Sequence, residues 1–182
     1  KCCHFFDLMR LIAQSEPLKV YASGNQDVNH LDEEYDGKVP DLLDNAFVIV
    51  DFENGVRAFL DLCMFAENSE YQEELCAVGS IGKIETEVPS NRSGITNSDI
   101  RIGMREDQTA LRENITVDPK ILEVGHHHGS TYYEHKSFIN AIRNNTKPEV
   151  SLNDGLIAVA IGEAAEISIK EGRVVQMSEF DL

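Results

Sequence analysis

His4 and Asp7 lie one helical turn apart in the segment Cys3-His4-Phe5-Phe6-Asp7-Leu8-Met9-Arg10-Leu11-Ile12-Ala13. On a helix this spacing brings a carboxylate within reach of an imidazole. An imidazole with an ordinary pKa of about 6.5 accepts a hydroxyl proton near neutrality, and an adjacent carboxylate stabilises the imidazolium that forms. The pair therefore has the chemistry of a general base, His4, and its support, Asp7. The same spacing equally serves a pair that only ties the end of a helix to its surroundings.

A second polar cluster is Gly125-His126-His127-His128-Gly129-Ser130. Three consecutive imidazoles cannot all point one way. In an extended segment His126 and His128 share a side and would offer two ligands to a metal, but no third ligand at catalytic spacing accompanies them, so no metal site is assigned. A polar loop with one histidine capping the following helix, and a histidine facing a polyhydroxyl ligand, are the other readings. The hydroxyls of Tyr132 and Tyr133, just beyond, suit either a sugar or solvent. There is no P-loop, GxSxG elbow or GxGxxG fingerprint; Gly79-Ser80-Ile81-Gly82 separates two strand-like runs and opens no helix, so no cofactor cradle is visible.

These residues must be positioned by the elements around them. Phe5, Leu8, Met9 and Ile12 recur at helical spacing and predict a helix over 3–13 with that stripe inward. It starts with no room for a cap, which suggests a polypeptide extending further upstream. A strand is expected over 18–22 and a long acidic surface loop over 25–44. Runs 46–52 and 56–62 predict a hairpin, because Asn54 and Gly55 between them both tolerate the positive φ a tight turn demands. Strands follow over 74–78, 83–88, 100–104 and 111–117, the second alternating Ile84, Thr86, Val88 with Lys83, Glu85, Glu87 so that one face is wetter. Helices are expected over 131–144, with Phe138, Ile139 and Ile142 inward, and over 152–170, with Ser151 and Asp154 as a capping box and Gly172 as its stop. A closing strand is expected over 173–177. Helix, then sheet, then helices predicts an α+β fold: an open, mainly antiparallel sheet with helices packed on one face, forming a single domain over 1–182.

Apolar residues make up 42% of the chain and charged residues 26%, the usage of a compact domain. No apolar run is long enough to span a bilayer, and the formal charge of −16 has the wrong sign for binding phosphate backbones, so neither membrane nor nucleic acid is an expected partner. Cys2, Cys3, Cys63 and Cys76 lack CxxC spacing, which predicts reduced, buried thiols in a cytoplasmic protein.

Lys1-Cys2-Cys3-His4-Phe5-Phe6-Asp7 opening a helix, Val78-Gly79-Ser80-Ile81-Gly82-Lys83-Ile84-Glu85, the Gly125–Ser130 segment with Phe138-Ile139-Asn140-Ala141-Ile142, and Leu152-Asn153-Asp154-Gly155-Leu156 with Ala164-Ala165-Glu166-Ile167-Ser168 occur in the order in which similar motifs occur in the Gfo/Idh/MocA oxidoreductases. The whole chain resembles the C-terminal half of that family. The resemblance implies an N-terminal Rossmann domain holding NAD or NADP, absent from this chain, and a substrate-binding and oligomerisation domain whose sheet face builds homodimers or homotetramers. It also implies a sugar, polyol or cyclitol substrate and hydride transfer to nicotinamide. His4 and Asp7 match the last two positions of a D-x-x-x-H-x-x-D pattern; the first acidic position would precede Lys1. The same resemblance brings the glycine-flanked histidines near the substrate, with His128 first and His126 and Tyr132 beside it. A non-catalytic homo-oligomeric interaction domain is the alternative, and a metal-dependent hydrolase using His126 and His128 a third reading.

Overall fold

A computed structural model describes residues 2–90, 94–124 and 127–182. The chain forms two compact units, one made of residues 1–66 and 150–182, the other of residues 67–149. Both are α+β with antiparallel sheets, so the fold class read from the pattern holds, with the strands divided between two four-stranded sheets.

In the first unit, strands β1 (Pro17–Asn25), β2 (Asn45–Phe52), β3 (Arg57–Cys63) and β8 (Val175–Gln176) are ordered β3-β2-β1-β8. Beyond the register shift between Pro17 and Lys19, the side chains of β1 and β2 alternate between faces. Val20, Ala22, Ala46, Val48, Val50 and Phe52 are buried on the inner face, against helices α1 (Cys3–Ala13) and α4 (Leu152–Glu171). Helix α4 meets the core with Ile157, Ala158, Ala160, Ile161, Ala164 and Ala165, small enough to bring helix and sheet close together. It begins at the expected capping box, with Ser151 Oγ accepting from the Asp154 amide and Asp154 accepting from the Ser151 amide, and it stops at Gly172.

Helix α1 has the expected bounds but a different inward face. Phe6 and Ala13 are buried and Cys2 and Met9 pack beside them, whereas Ile12 is 54% exposed. The segment holds two overlapping apolar stripes, and the rotation that occurs also aims Arg10 at Glu16 and Asp154. The hairpin between β2 and β3 forms where expected. Only Gly55 takes a positive φ, +85°; Asn54 instead donates its side-chain N–H to the Ala13 carbonyl at 2.9 Å, satisfying one of the orphan carbonyls at the end of α1.

The closing strand is shorter than the pattern suggested. Lys19 pairs with Gln176 and Val20 with Val175, so continuing the register would set Arg173 opposite Ala22. The buried Ser168 hydroxyl stands between them, accepting from the Ala22 amide at 2.9 Å and donating to the Arg173 carbonyl at 2.6 Å. After β8 the chain turns into a single 3-10 turn, Met177–Glu179.

In the second unit, β4 (Tyr71–Val78), β5 (Gly82–Pro89), β6 (Asn97–Met104) and β7 (Leu111–Thr116) form a consecutive antiparallel meander, followed by α2 (Pro119–Val124) and α3 (Ser130–Asn144). The face of β5 expected to be wetter is not uniformly so: Ile84 on the other face is 41% exposed, whereas Glu87 is 4% exposed beneath Arg101, which meets it at 2.6 Å. Helix α3 buries only Ala141; Phe138, Ile139 and Ile142, expected inward, are exposed. Periodicity marks an apolar face without saying whether the chain covers it. No disulfide joins the four cysteines, but Cys3, Cys63 and Cys76 are exposed and Cys2 half-buried, which corrects the expectation of burial. Among the described residues no helix is long and apolar enough to cross a membrane.

Two outcomes follow for stability. Ser168→Ala leaves the Ala22 amide buried without an acceptor, and urea unfolding should show a loss of about 1–3 kcal/mol. The Ser151 hydroxyl and amide, then Arg10, draw Asp154 down to about 2, and Arg173, then the Gln176 amide, draw Glu179 to about 2. Both values are depressed, so the stabilisation is complete above the ordinary carboxylate range of about 4 and is lost as pH falls toward about 2. Circular dichroism during acid titration should show unfolding begin in that window, at higher pH for Asp154→Asn.

Candidate active site

Helix α1 carries His4 on its outward side, exposed to solvent and opposite Phe6 and Ala13. Its ring lies against Phe5, with centroids 4.4 Å apart. An exposed imidazole on a rigid helix is accessible to a ligand, as a general base must be. Asp7 is half-buried one turn further on, with Oδ1 3.6 Å from the Arg10 guanidinium. Arg10 is the centre of charge here: its side chain is only 10% exposed and reaches Glu16 through two hydrogen bonds (2.8 and 3.1 Å) and Asp154 through a third (3.1 Å). The acids around it raise its pKa, with the Glu16 hydrogen bonds the largest cause, so it stays a cation and fixes α1 against the start of α4. Arg10 is not among the residues singled out by the sequence pattern: its partner Glu16 lies six residues on, beyond the end of α1 at Ala13, and Asp154 lies far off in the chain, so no local spacing marks it.

The second cluster lies in the other unit. His126 lies outside the described residues. His127, His128 and Gly129 form a 3-10 turn in which all three residues are left-handed, at φ +59°, +53° and +90°. Left-handed backbone costs a residue with a side chain about 1–2 kcal/mol, so two such histidines in succession need support from their surroundings. Gly129 provides it: it is buried, and a Cβ there would stand 3.1 Å from Val117 Cγ1 and 3.1 Å from Ile121 Cγ2. The turn is thus seated directly on an apolar bed. Ser130 Oγ donates to the His127 carbonyl at 2.9 Å.

This seating leaves His128 half-buried, with Nε2 shielded from solvent and without a hydrogen-bond partner among the described residues. A buried ring nitrogen lacking a partner carries a desolvation cost that a ligand hydroxyl can remove. Tyr132, at the start of α3, is 40% exposed, stacked edge-on against Tyr133 at 5.4 Å, with Lys136 Nζ 6.0 Å from its ring centre. His128 and Tyr132 therefore belong to one unit and His4 and Asp7 to the other. No group of three or more histidine, cysteine or acidic side chains among the described residues is placed to hold a metal ion.

The backbone constraint is directly testable. Gly129→Ala adds a methyl group against Val117 and Ile121 on left-handed backbone and should cost about 1–3 kcal/mol in urea unfolding. Trimming Val117 to Ala in the same chain should return part of that loss, and a Gly129→Ala effect below about 0.5 kcal/mol would mean the turn is not constrained as described.

Comparison with known proteins places these residues in context. Residues 1–177 match a family model described as "Oxidoreductase family, C-terminal alpha/beta domain". A myo-inositol 2-dehydrogenase of Thermotoga maritima is 29% identical over 177 residues, spanning 97% of this chain and 47% of that protein. Among solved structures, levoglucosan dehydrogenase in complex with NADH and levoglucosan aligns with a TM-score of 0.72 at 18% identity, over 97% of this chain and 48% of the other. An oxidoreductase from Agrobacterium radiobacter, in complex with NAD+, L-tartaric acid and magnesium, aligns at 0.69 and 18%, with the same coverage. The chain spans about half the length of these relatives.

Proposed function

The chain belongs to the Gfo/Idh/MocA oxidoreductase family as a C-terminal alpha/beta domain, and from that premise we propose that it is the substrate-binding and assembly part of an enzyme oxidising a secondary hydroxyl of a sugar, polyol or cyclitol with NAD or NADP. The observation that carries this reading is the shielded, unpartnered Nε2 of His128, which suits a ligand rich in hydroxyl groups. The relatives support the same substrate class by what they act on or bind: myo-inositol in one, levoglucosan in another.

Oxidation of a secondary alcohol removes a proton from oxygen and a hydride from carbon. In the first unit the proposed roles are proton acceptance by His4 and support of the resulting imidazolium by Asp7; in the second unit the proposed role is binding of ligand hydroxyls by His128, His126 and Tyr132. A bound nicotinamide supplies the hydride acceptor. The described residues offer no strand, glycine-rich turn and helix in succession to cradle a dinucleotide, so its binding falls to residues outside this chain and the 182 residues alone are inactive.

The exposed outer face of the first sheet, where Phe47 and Phe59 stack with centroids 5.8 Å apart, is the assembly surface of a homodimer or homotetramer. Apolar area of this kind is unusual on a monomer.

With the intact polypeptide, and myo-inositol and NAD as probes, His4→Ala should lower kcat about 10²–10⁴-fold. Retention of turnover within a few-fold would remove His4 from the base role. His128→Ala should act mainly on KM, raising it about 10-fold for the loss of one buried hydrogen bond. An unchanged KM would separate His128 from the substrate.

A further inference from the structure

Of the asparagines in the chain, only Asn54 is followed by glycine. An Asn-Gly pair is the most prone to deamidation, because glycine has no Cβ to hinder its backbone nitrogen as it attacks the asparagine side chain. Asn54 and Gly55 are exposed to water in the turn between β2 and β3. The fold nevertheless engages every group that the reaction needs. The Gly55 N–H, whose nitrogen is the nucleophile, donates to the Phe52 carbonyl at 2.9 Å. The Asn54 side chain is held at both ends: Nδ2 donates to the Ala13 carbonyl at 2.9 Å, and Oδ1 accepts the Val56 amide at 3.1 Å. The Asn54 amide donates to Ser15 Oγ at 3.2 Å and the Glu53 amide to the Glu16 carbonyl at 3.0 Å, so the turn is tied to the segment that ends α1.

We propose that Asn54-Gly55 is a deamidation site which the folded turn holds back, and that its conversion to an acid releases the end of α1. The Gly55 nitrogen gives its proton to a base in solution and attacks Asn54 Cγ. The new N–C bond closes a succinimide ring as the Cγ–Nδ2 bond breaks and ammonia leaves. Water then opens either carbonyl of the ring, giving aspartate or isoaspartate, so that water is consumed and ammonia released with no change of oxidation state. Attack requires the Gly55 N–H to leave the Phe52 carbonyl and the Asn54 side chain to leave Ala13 and Val56. The native protein therefore reacts through local opening of the turn, at a rate that scales with the fraction open. The product reverses the contact. Where Nδ2 donated, a carboxylate oxygen meets the Ala13 carbonyl oxygen, two acceptors with no proton between them. The new negative charge also stands at the C-terminal end of a helix, where the macrodipole is already negative. Isoaspartate further lengthens the backbone of the turn by a methylene group. Arg10 still ties α1 to Asp154, so the last turn of α1 loosens first, whatever the role of His4.

The test incubates the intact polypeptide in mildly alkaline buffer, folded and in urea, and follows the peptide containing Asn54 by mass spectrometry in heavy-oxygen water. Conversion should run about 10–1,000-fold slower in the folded protein, because three hydrogen bonds must open together. Rates that agree within a factor of a few overturn the protection, and an Asn54 that stays intact in urea while other asparagines convert overturns the site. Asn54→Asp makes the aspartate product directly, and aged protein separated by charge supplies it without a substitution. In both, the melting temperature should fall by about 1–5 °C. Amide deuterium exchange should quicken at residues 10–14 by more than in α4. Unchanged melting and exchange overturn the release of α1, as does exchange that quickens equally in both helices.

Discussion

One guanidinium holds the frame in which the proposed base is presented. Arg10 leaves α1 to meet Glu16 in the turn that follows and Asp154 in the first turn of α4. Asp154 is itself the residue that closes the capping box of α4, so the same carboxylate ends one helix's unsatisfied donors and receives the other helix's charge. A helix as short as α1 is marginal by itself. Phe6, Met9 and Ala13 attach it to the core on one side, Arg10 sets its rotation, and the Asn54 side chain occupies one of its terminal carbonyls. His4 stands outward because it lies on the side of α1 opposite Phe6 and Ala13, the residues that bury against the core.

The two histidine sites reach their positions by opposite means. His4 is placed by ordinary helix packing, on helical backbone and with a solvent-exposed ring against Phe5. His128 is placed by a backbone that its own side chain disfavours, tolerated because Gly129 lets the turn press onto Val117 and Ile121. Strain kept by packing recurs where side-chain direction matters more than stability. The polar atom thus hidden from water is the one that a polyhydroxyl ligand would satisfy.

Much of this was legible in the order of residues. The α+β class, the capping box at Ser151 and Asp154, the stop at Gly172 and the bounds of α1 and α4 all follow from local rules that act over one or two turns. What local rules do not carry is which of two apolar stripes faces inward, and so Ile12 was assigned to the core and Phe6 was not. The exposed flank of α3 read as core for the same reason: a helical pattern reports apolar area, and whether that area is covered depends on residues distant in the chain. The left-handed run at 127–129 had a single hint, the glycine at 129. The Arg10 contacts and the Ser168 bridge are long-range and left no pattern at all.

The Ser168 hydroxyl has a consequence for how this protein avoids its neighbours in a crowded solution. A β-strand that ends with unpaired amides and carbonyls is a template on which a foreign chain can add. Here the strand next to β1 is only two residues long, and beyond it the Ala22 amide is already occupied by a helix side chain that also holds the Arg173 carbonyl. An incoming strand would find that donor taken, so at this point of the sheet's border one hydroxyl group blocks templated pairing.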